Sequence, residues 1–368
     1  MLLASASALA CGRHKATSFH GYCIVANQAG RNLAIVNLTH FRLQRQIPLD
    51  AVPSAVLAHP TSPKAFILAP EAGTVYELDA GALTIGRRVR VGNRLAGMQI
   101  SPAGDALWVL SRDPSEIVEL PLAGLQPNRR IHLPAPPDDF DLSSENQAAV
   151  ASQQDSSITI TSLSRGTIQR VLPVGAEPSI VRFQSNGKQL LAASRRERVL
   201  TIFDTATGKA VVRLPLPLEP RHFCFNSDGG QLFISGDGVD GVVIVFPYST
   251  EVDQTILAGH APDAMAVTSS PSEYLLAANP DSNSVTVLDV DTRKFVAVVQ
   301  VGLEPRHIVV TPDNGSHEQY ALVLNRRSGD LAVIRVRSLA ERRYKSAPLF
   351  TLIPVGEEPV SAAVVSLG

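Results

Sequence analysis

The sequence has few cysteines, almost no charge imbalance and no long apolar run in its body, and each shortage excludes a class of protein. Only three cysteines occur in 368 residues, without a CxxC or CxxCH pair, so we expect neither a metal centre nor covalent c-type haem. Lysine and arginine number 33 against 34 aspartate and glutamate, which argues against a nucleic-acid partner. Beyond residue 12 no stretch approaches the ~18 apolar residues of a membrane helix. We therefore predict a soluble body without a cofactor.

Catalytic signatures are missing as well. The chain has no GxSxG, HExxH, phosphate-binding P-loop or dinucleotide fingerprint, the patterns that mark common hydrolases, metalloproteases and nucleotide enzymes. It has instead 25 glycines and 26 prolines within a composition that is 45% apolar. Such a sequence can bury a large core but interrupts it with many turns, which predicts short strands rather than long helices.

The first 18 residues differ from the rest of the chain. An apolar run of mostly small residues begins at Met1 and ends at Cys11, and the polar stretch Arg13–Lys15 follows. This order is typical of a secretory signal with a lipoprotein-type cleavage site. It predicts export to the periplasm or cell surface, with membrane contact only through a lipid on Cys11. No basic residue precedes the run, so the alternative is a disordered N-terminus over residues 1–18 and a cytoplasmic protein.

The remainder of the chain repeats itself about every 42 residues. The repeat is marked by a short Val-Gly-x-x-Pro-like segment, and the marker positions are Pro53, Leu95, Pro137, Pro178, Pro220, Pro262, Pro305 and Pro359. A period near 40 residues is typical of propeller blades. Each interval holds four short apolar runs separated by turn residues, which predicts four antiparallel strands. We therefore predict an all-β fold, a single β-propeller domain over residues 19–368.

The number of blades follows from the second run of each interval. These runs begin at 22, 65, 106, 148, 190, 232, 274 and 320, which predicts eight blades, or seven if the degenerate repeat 137–177 forms none. Residues 21–49 lack an innermost strand, and Val360–Leu367 supplies one at the other end of the chain. The ring is therefore expected to close by a 3+1 seam, which removes exposed sheet edges. The long last interval predicts an insertion around Ala340–Lys345.

Three stretches resemble the YVTN β-propeller repeat family, which includes surface-layer-like and periplasmic propellers. They are residues 202–209, 277–294 and 301–313. The resemblance implies the propeller fold and leaves the activity open, because the family's repeat is shared by binding proteins, lactonase-like enzymes and haem-binding propellers.

Two of these branches can be compared residue by residue. The segments 219–222 and 304–307 both read Glu-Pro-Arg-His and resemble the Gly-Pro-Arg-His motif of lactonase-like propellers, in which the basic residues hold the sugar lactone. That family also has a glutamate after the second strand, where this chain has Ser235, Ala278 and Leu324 followed by Gly or Asn, and this difference argues against hydrolysis. The second branch is the haem-binding propellers of bacterial nitrite reductases and related periplasmic proteins. These have eight blades, as predicted here, but no histidine of this chain can be assigned as an axial ligand of the haem iron.

The candidate site lies where the connections from fourth to first strands and from second to third strands meet, around the mouth of the central channel. Three consecutive repeats carry Arg221, Asp263 and Arg306 directly after the marker, and His222 and His307 come next. The second-to-third connections add Arg195 and Arg326. Guanidinium and imidazole groups suit carboxylate or phosphate recognition. The alternative is an ion chain between blades that only stabilises the ring, and a deeper salt bridge is expected between Asp141 and Arg182.

These observations predict an exported, monomeric, non-catalytic binding or scaffold propeller that recognises a small anionic ligand or a protein partner at the channel mouth. Two alternatives stay open. One is a lactonase-like hydrolase of sugar lactones that uses Arg221, His222, Arg306 and His307. The other is a haem-binding periplasmic propeller.

Overall fold

A computed structural model describes residues 19–269, 273–313, 318–340 and 347–367. In chain order, its strands are β1 (Gly21–Asn27), β2 (Asn32–Asn37), β3 (Arg42–Pro48), β4 (Ala55–Ala58), β5 (Lys64–Ala69), β6 (Thr74–Asp79), β7 (Thr84–Arg90), β8 (Arg94–Ile100), β9 (Ala106–Asp113), β10 (Ser115–Pro121), β11 (Arg129–His132), β12 (Asp139–Leu142), β13 (Gln147–Ser152), β14 (Ser157–Ser162), β15 (Thr167–Pro173) and β16 (Pro178–Phe183). They continue with β17 (Gln189–Ser194), β18 (Val199–Asp204), β19 (Ala210–Pro215), β20 (Glu219–Phe225), β21 (Leu232–Asp237), β22 (Gly241–Phe246), β23 (Glu251–Leu257), β24 (Met265–Val267), β25 (Tyr274–Asn279), β26 (Ser284–Asp289), β27 (Lys294–Gln300), β28 (Pro305–Val310), β29 (Tyr320–Asn325), β30 (Asp330–Arg335), β31 (Leu349–Pro354) and β32 (Pro359–Ser366). A 3₁₀ turn covers Pro280–Ser282 and a single helical turn, α1, covers Arg337–Ala340.

The strands form eight four-stranded antiparallel sheets, which are the eight blades of a β-propeller. Blade 1 has the order β32-β1-β2-β3 from the inside outward, and blades 2 to 8 take the remaining strands in groups of four, from β4–β7 to β28–β31. The prediction of eight blades is confirmed. The seven-bladed alternative is wrong, because the degenerate repeat 137–177 forms a complete blade, β12–β15.

The closing seam also agrees with the prediction. Strand β32 pairs antiparallel with β1, with Val365 opposite Tyr22 and Ala363 opposite Ile24. The last strand of the chain is thus the innermost strand of the first blade. Two predictions cannot be compared with the structure: Cys11 and the signal segment lie outside the described residues, and so does most of the insertion expected around Ala340–Lys345, of which only the end of α1 is described.

Burial explains why the middle strands read as continuous apolar runs. A second strand such as β5 is buried at five of its six residues, whereas the outermost strand β7 of the same blade is mostly exposed. Both faces of the middle strands are covered by neighbouring blades, so they have no polar side. The core therefore consists of apolar layers between blades, such as the layer formed by residues of blades 1 and 2 around Ile24, Ile67 and Leu78. Among the described residues, no helix has the length and apolar character needed to cross a membrane.

Side chains connect the innermost strands of successive blades around the channel. The Ser361 hydroxyl of blade 1 accepts the Val56 N–H of blade 2 at 3.1 Å, and the Gln99 amide of blade 3 donates to the Phe140 carbonyl of blade 4 at 2.7 Å. These bonds satisfy backbone groups that the innermost strand turns toward the channel, where no further strand can pair with them.

The connection from blade 4 to blade 5 differs from its prediction. Arg182 donates to Asp139 at 2.6 Å, not to Asp141. Asp141 instead accepts the Phe183 backbone N–H at 2.7 Å, while Asp139 also accepts the Val181 N–H at 2.9 Å. Both carboxylates therefore accept backbone N–H groups from the inner edge of β16. Asp139, the one nearer the mouth, also binds the guanidinium of Arg182. Burial raises the pKa of Asp141, although the charge of Arg182 acts against this shift.

Candidate functional site

A β-bulge at the start of several innermost strands sets the direction of the predicted arginines. In β20 the pairing skips from Pro220 to His222, and in β28 it skips from Pro305 to His307. Arg221 and Arg306 are thus the extra, unpaired residues of two equivalent bulges. A bulge bends the strand and redirects the side chain at that point. Arg221 and Arg306 consequently leave the regular alternation of their strands at the channel mouth.

The loops predicted to share one face of the ring do contact each other there. In blades 5 and 8, the connection that enters the innermost strand bonds to the connection between the second and third strands. Arg195 N–H donates to the Glu177 carbonyl at 3.0 Å, and Arg326 N–H donates to the Glu304 carbonyl at 2.9 Å. Glu304 holds a left-handed backbone conformation with φ of 58° immediately before Pro305, and its own N–H is held by the Asn283 side chain at 2.9 Å.

Asp263 is the centre of one group of predicted residues. Its carboxylate accepts His222 Nε2 from blade 6 at 2.6 Å and Arg306 Nη1 from blade 8 at 2.8 Å. The side chain of Asp263 is only 11% exposed. Burial acts to raise the pKa of Asp263, but the hydrogen bonds and charges of His222 and Arg306 outweigh it, so the pKa lies below its ordinary value. Asp263 therefore binds its partners as a carboxylate.

His307 stands beside this group in a defined tautomer. Its Nε2 lies 3.3 Å from the Ala362 carbonyl of blade 1, which can only accept, so Nε2 carries the proton and Nδ1 the lone pair. Burial lowers the pKa of His307 below its ordinary value, and the neighbouring charge of His222 acts in the same direction. His307 is thus a neutral imidazole whose Nδ1 has no hydrogen bond within the part of the chain that the structure describes.

The remaining predicted arginines are paired with carboxylates that the sequence analysis did not select. Arg221 contacts Asp237 at 2.5 Å, and Arg195 contacts the same carboxylate at 3.4 Å and Glu219 at 3.7 Å. In the Asp263 group, Arg306 also donates to Glu304 at 3.0 Å. Arg326 lies 3.8 Å from Glu304 and 3.3 Å from Glu358.

The structure therefore gathers the predicted residues into two ion-pair networks at one mouth. The first contains Arg195, Arg198, Glu219, Arg221 and Asp237, and the second contains His222, Asp263, Glu304, Arg306, Arg326 and Glu358. The sequence carried a signal for Glu219 and Glu304, since each lies two residues before the arginine of a Glu-Pro-Arg-His segment. It carried none for Asp237 and Glu358, whose partners are distant in the chain.

Among the exposed arginines at this face, Arg196 and Arg327 have no ion pair within the described residues, and each lies next to a predicted residue that is paired. In the same described part of the chain, no group of three or more histidine, cysteine, aspartate or glutamate side chains is arranged to hold a metal ion.

Comparisons with known proteins give the fold and no family. No family model matches the chain, and no curated protein matches it. Among solved structures, the chain is similar to dihydro-heme d1 dehydrogenase NirN in complex with DHE, with 15% identity, a TM-score of 0.76 and coverage of 95% of this chain and 76% of that one.

Two further solved structures share the fold at lower TM-scores. Hydrazine synthase of Kuenenia stuttgartiensis has 17% identity and a TM-score of 0.58, covering 89% of this chain and 98% of the other. A functionally unknown protein from Desulfotomaculum acetoxidans has 13% identity and a TM-score of 0.62, covering 78% and 97%. At such identities the likeness extends to the fold alone.

Proposed function

We propose that this protein is a non-catalytic binding propeller that takes a small carboxylate- or phosphate-bearing ligand at the channel mouth, between Arg221, His222 and Arg306. The observation that carries the proposal is the convergence of His222 and Arg306, from blades 6 and 8, on the carboxylate of Asp263 between them. Asp263 occupies the place where an imidazole and a guanidinium already accommodate an anion.

Unused donors remain for a ligand. Arg306 uses Nε for Glu304 and Nη1 for Asp263, so its Nη2 group has no partner within the described residues. Arg221 uses Nη2 for Asp237, which leaves its Nε and Nη1 available. A guanidinium offers five N–H donors, and each of these free groups can donate to an oxygen of a carboxylate or phosphate. A ligand with two anionic groups would engage both arginines.

The resident carboxylates set the strength of binding. The positive charge of each predicted arginine is already balanced by a neighbouring carboxylate, so the local positive potential is weak. An incoming anion must compete with Asp237, Asp263 or Glu304. Such pairs are screened by salt. We therefore expect affinities in the range of ~10 µM to 1 mM for simple dicarboxylates, and a clear decrease at high ionic strength.

Isothermal titration of the protein with succinate and inorganic phosphate tests the proposal. The double variant Arg221→Gln, Arg306→Gln should lose binding at least tenfold, while its stability falls only by the ~1 kcal/mol or less expected for each partly exposed ion pair that it loses. Arg213→Gln is the matched control, because Arg213 also pairs with one exposed carboxylate, Glu197, at 2.7 Å but lies on β19, outside both networks. Loss of stability without any ligand binding would favour the ion chain.

Haem carriage is the second candidate, and two observations favour it. The first is the similarity to NirN, a protein whose structure contains DHE. The second is that His307 presents an unprotonated Nδ1 next to Arg306, which fits a haem-type tetrapyrrole: iron takes a neutral imidazole nitrogen, and the carboxylates of the macrocycle take guanidinium groups. In this chain His307 would hold the iron, and Arg306 with Arg221 would hold the carboxylates.

Titration with haemin distinguishes the two candidates. A Soret shift that His307→Ala abolishes and His40→Ala, at an exposed turn, leaves unchanged would support haem. Dicarboxylate binding without a Soret shift would support anion binding and exclude haem carriage. The lactonase alternative, export, lipidation of Cys11 and a monomeric state stay predictions, and a lactone hydrolysis assay is the direct test of the first of these.

A further inference from the structure

A cleft between blades 8 and 1 lies next to the second ion-pair network and has no part in the function proposed above. Its volume is about 710 Å³, within the ~300–1,000 Å³ of typical small-molecule sites. It is bounded by the outer strands β3 and β31 and by four loops. The lining residues on which the argument depends are Leu43, Gln46, Arg327, Pro354, Gly356 and Glu357.

The backbone of this cleft is fixed before any ligand arrives. The Val355 and Gly356 N–H groups both donate to the Gly329 carbonyl, at 2.9 and 3.1 Å, and the Gln46 amide donates to the Val355 carbonyl at 3.1 Å. A side chain at Gly329 would place its Cβ 2.5 Å from the Gly356 oxygen. The two loops therefore approach this closely only because residue 329 is glycine, and a preformed wall lowers the entropic cost of binding.

Two opposite charges in the cleft are available to a ligand. Arg326 is held between Glu304 and Glu358. Arg327 and Glu357, by contrast, are exposed and have no ion pair within the described residues. They belong to different loops, one between β29 and β30 and the other before β32. The same cleft is lined by the apolar side chains of Leu43, which is 38% exposed, and Pro354.

We propose that this cleft binds a short peptide of two or three residues with free termini. The peptide carboxylate would be bound by Arg327, its ammonium group by Glu357, and an apolar side chain would pack on Leu43 and Pro354. A zwitterion fits because a simple anion would leave Glu357 unpaired and a simple cation would leave Arg327 unpaired. The apolar surface between the two charges adds affinity in proportion to the area it loses to the ligand.

Three matched probes test the charge requirement by isothermal titration: Leu-Leu, N-acetyl-Leu-Leu and Leu-Leu amide. Leu-Leu should bind best, and removal of either terminal charge should weaken binding about fivefold, the upper range for an exposed ion pair. Equal binding of all three probes would overturn the proposal, because the apolar surface alone would then account for it. Absence of binding by Leu-Leu would overturn it as well.

Variants at the two charges locate the ligand. Glu357→Gln should weaken Leu-Leu about fivefold and leave N-acetyl-Leu-Leu unchanged, since that probe has no ammonium group. Arg327→Gln should weaken Leu-Leu equally and leave Leu-Leu amide unchanged. Arg196→Gln is the control, because Arg196 occupies the equivalent loop position in blade 5 and is also exposed without an ion pair in the described part of the chain. Leu-Leu binding that neither cleft variant alters would place the peptide elsewhere and refute the assignment.

Discussion

Replacement of Asp263 by asparagine separates a ligand site from a purely structural ion chain. Asparagine has the same shape but no charge, and its amide can accept from only one of the two donors, His222 and Arg306, that Asp263 binds at 2.6 and 2.8 Å. The other donor would face an NH₂ group. A hydrogen bond to a charged group contributes ~1.5–3 kcal/mol when shielded, and an exposed ion pair contributes ~1 kcal/mol or less.

The expected loss of stability follows from the exposure of the three side chains. Asp263 is 11% exposed, but His222 and Arg306 are 43% and 37% exposed, so solvent screens both contacts. Taking ~1 kcal/mol for each, we expect Asp263→Asn to lower the free energy of unfolding by ~2 kcal/mol at pH 7. Asp240→Asn is the control: Asp240 also binds a histidine, His260, at 3.0 Å on this face, but both side chains are more than half exposed, so solvent screens this pair and its loss should leave the free energy of unfolding nearly unchanged.

Urea unfolding in 20 mM succinate and in sodium chloride of equal ionic strength provides the assay. If the mouth binds carboxylates, the variant has lost a resident competitor, and succinate should take the place of Asp263. With a Kd of ~1 mM, 20 mM ligand would restore ~1.8 kcal/mol. An Asp263→Asn variant that is equally stable in succinate and in chloride would refute ligand binding and leave the ion chain. A variant as stable as the wild type would refute both, because Asp263 would then stabilise nothing.

Four further predictions test the fold, the electrostatics and the N-terminus. Deletion of residues 359–367 removes the innermost strand of blade 1 and should lower thermal stability by many degrees, as measured by circular dichroism; an unchanged melting curve would contradict the seam. Gly236→Ala would place a Cβ 1.9 Å from the Glu219 carbonyl oxygen and should destabilise the protein by ~3 kcal/mol; a variant that unfolds like the wild type in urea would show that β20 and β21 can separate there. The lowered pKa of Asp263 means that its charge stabilises the fold above the unfolded-state pKa of ~3.9 and that this contribution is lost as the pH falls through the folded-state value. The difference in the free energy of unfolding between the wild type and Asp263→Asn should therefore shrink as the pH falls from 5 to 3. Cys11→Ala should release a membrane-bound form into the soluble fraction if Cys11 carries a lipid; identical fractionation of both forms would contradict lipidation.

The sequence predicted the ring well because each blade is encoded locally. Apolar runs, turn residues and the proline marker recur within about 42 residues, and even the degenerate repeat 137–177 keeps enough of this pattern to form β12–β15. Each repeat needs only its neighbours to bury its faces, so the count of repeats gives the count of blades. The seam followed from the same reasoning, since an unpaired first blade and a surplus last strand complete each other.

The pairing of the site residues could not be predicted in the same way. The bulge that turns Arg221 and Arg306 toward the mouth depends on cross-strand register, which the spacing of the repeat does not reveal. The partners of these arginines depend on side-chain direction across blades, as the contact between Arg221 and Asp237 illustrates. For the same reason, Arg182 was expected to pair with Asp141 but reaches Asp139. Residue type at a position is local information, whereas the choice between two nearby carboxylates is not.

The chemistry of the junctions around the channel bears on the choice between a ligand site and an ion chain. Where blades 1 and 2 meet, a neutral serine suffices to hold the innermost strand, and a neutral glutamine does the same between blades 3 and 4. The junctions from blade 6 to blade 8 use His222, Asp263 and Arg306 instead. Burying part of an ion pair costs desolvation that a neutral pair avoids, so attachment of the strands does not by itself require charge, although Asp139 and Arg182 serve it between blades 4 and 5. Ionisable groups with unused donors, placed by bulges at the mouth, are what recognition of an anion requires.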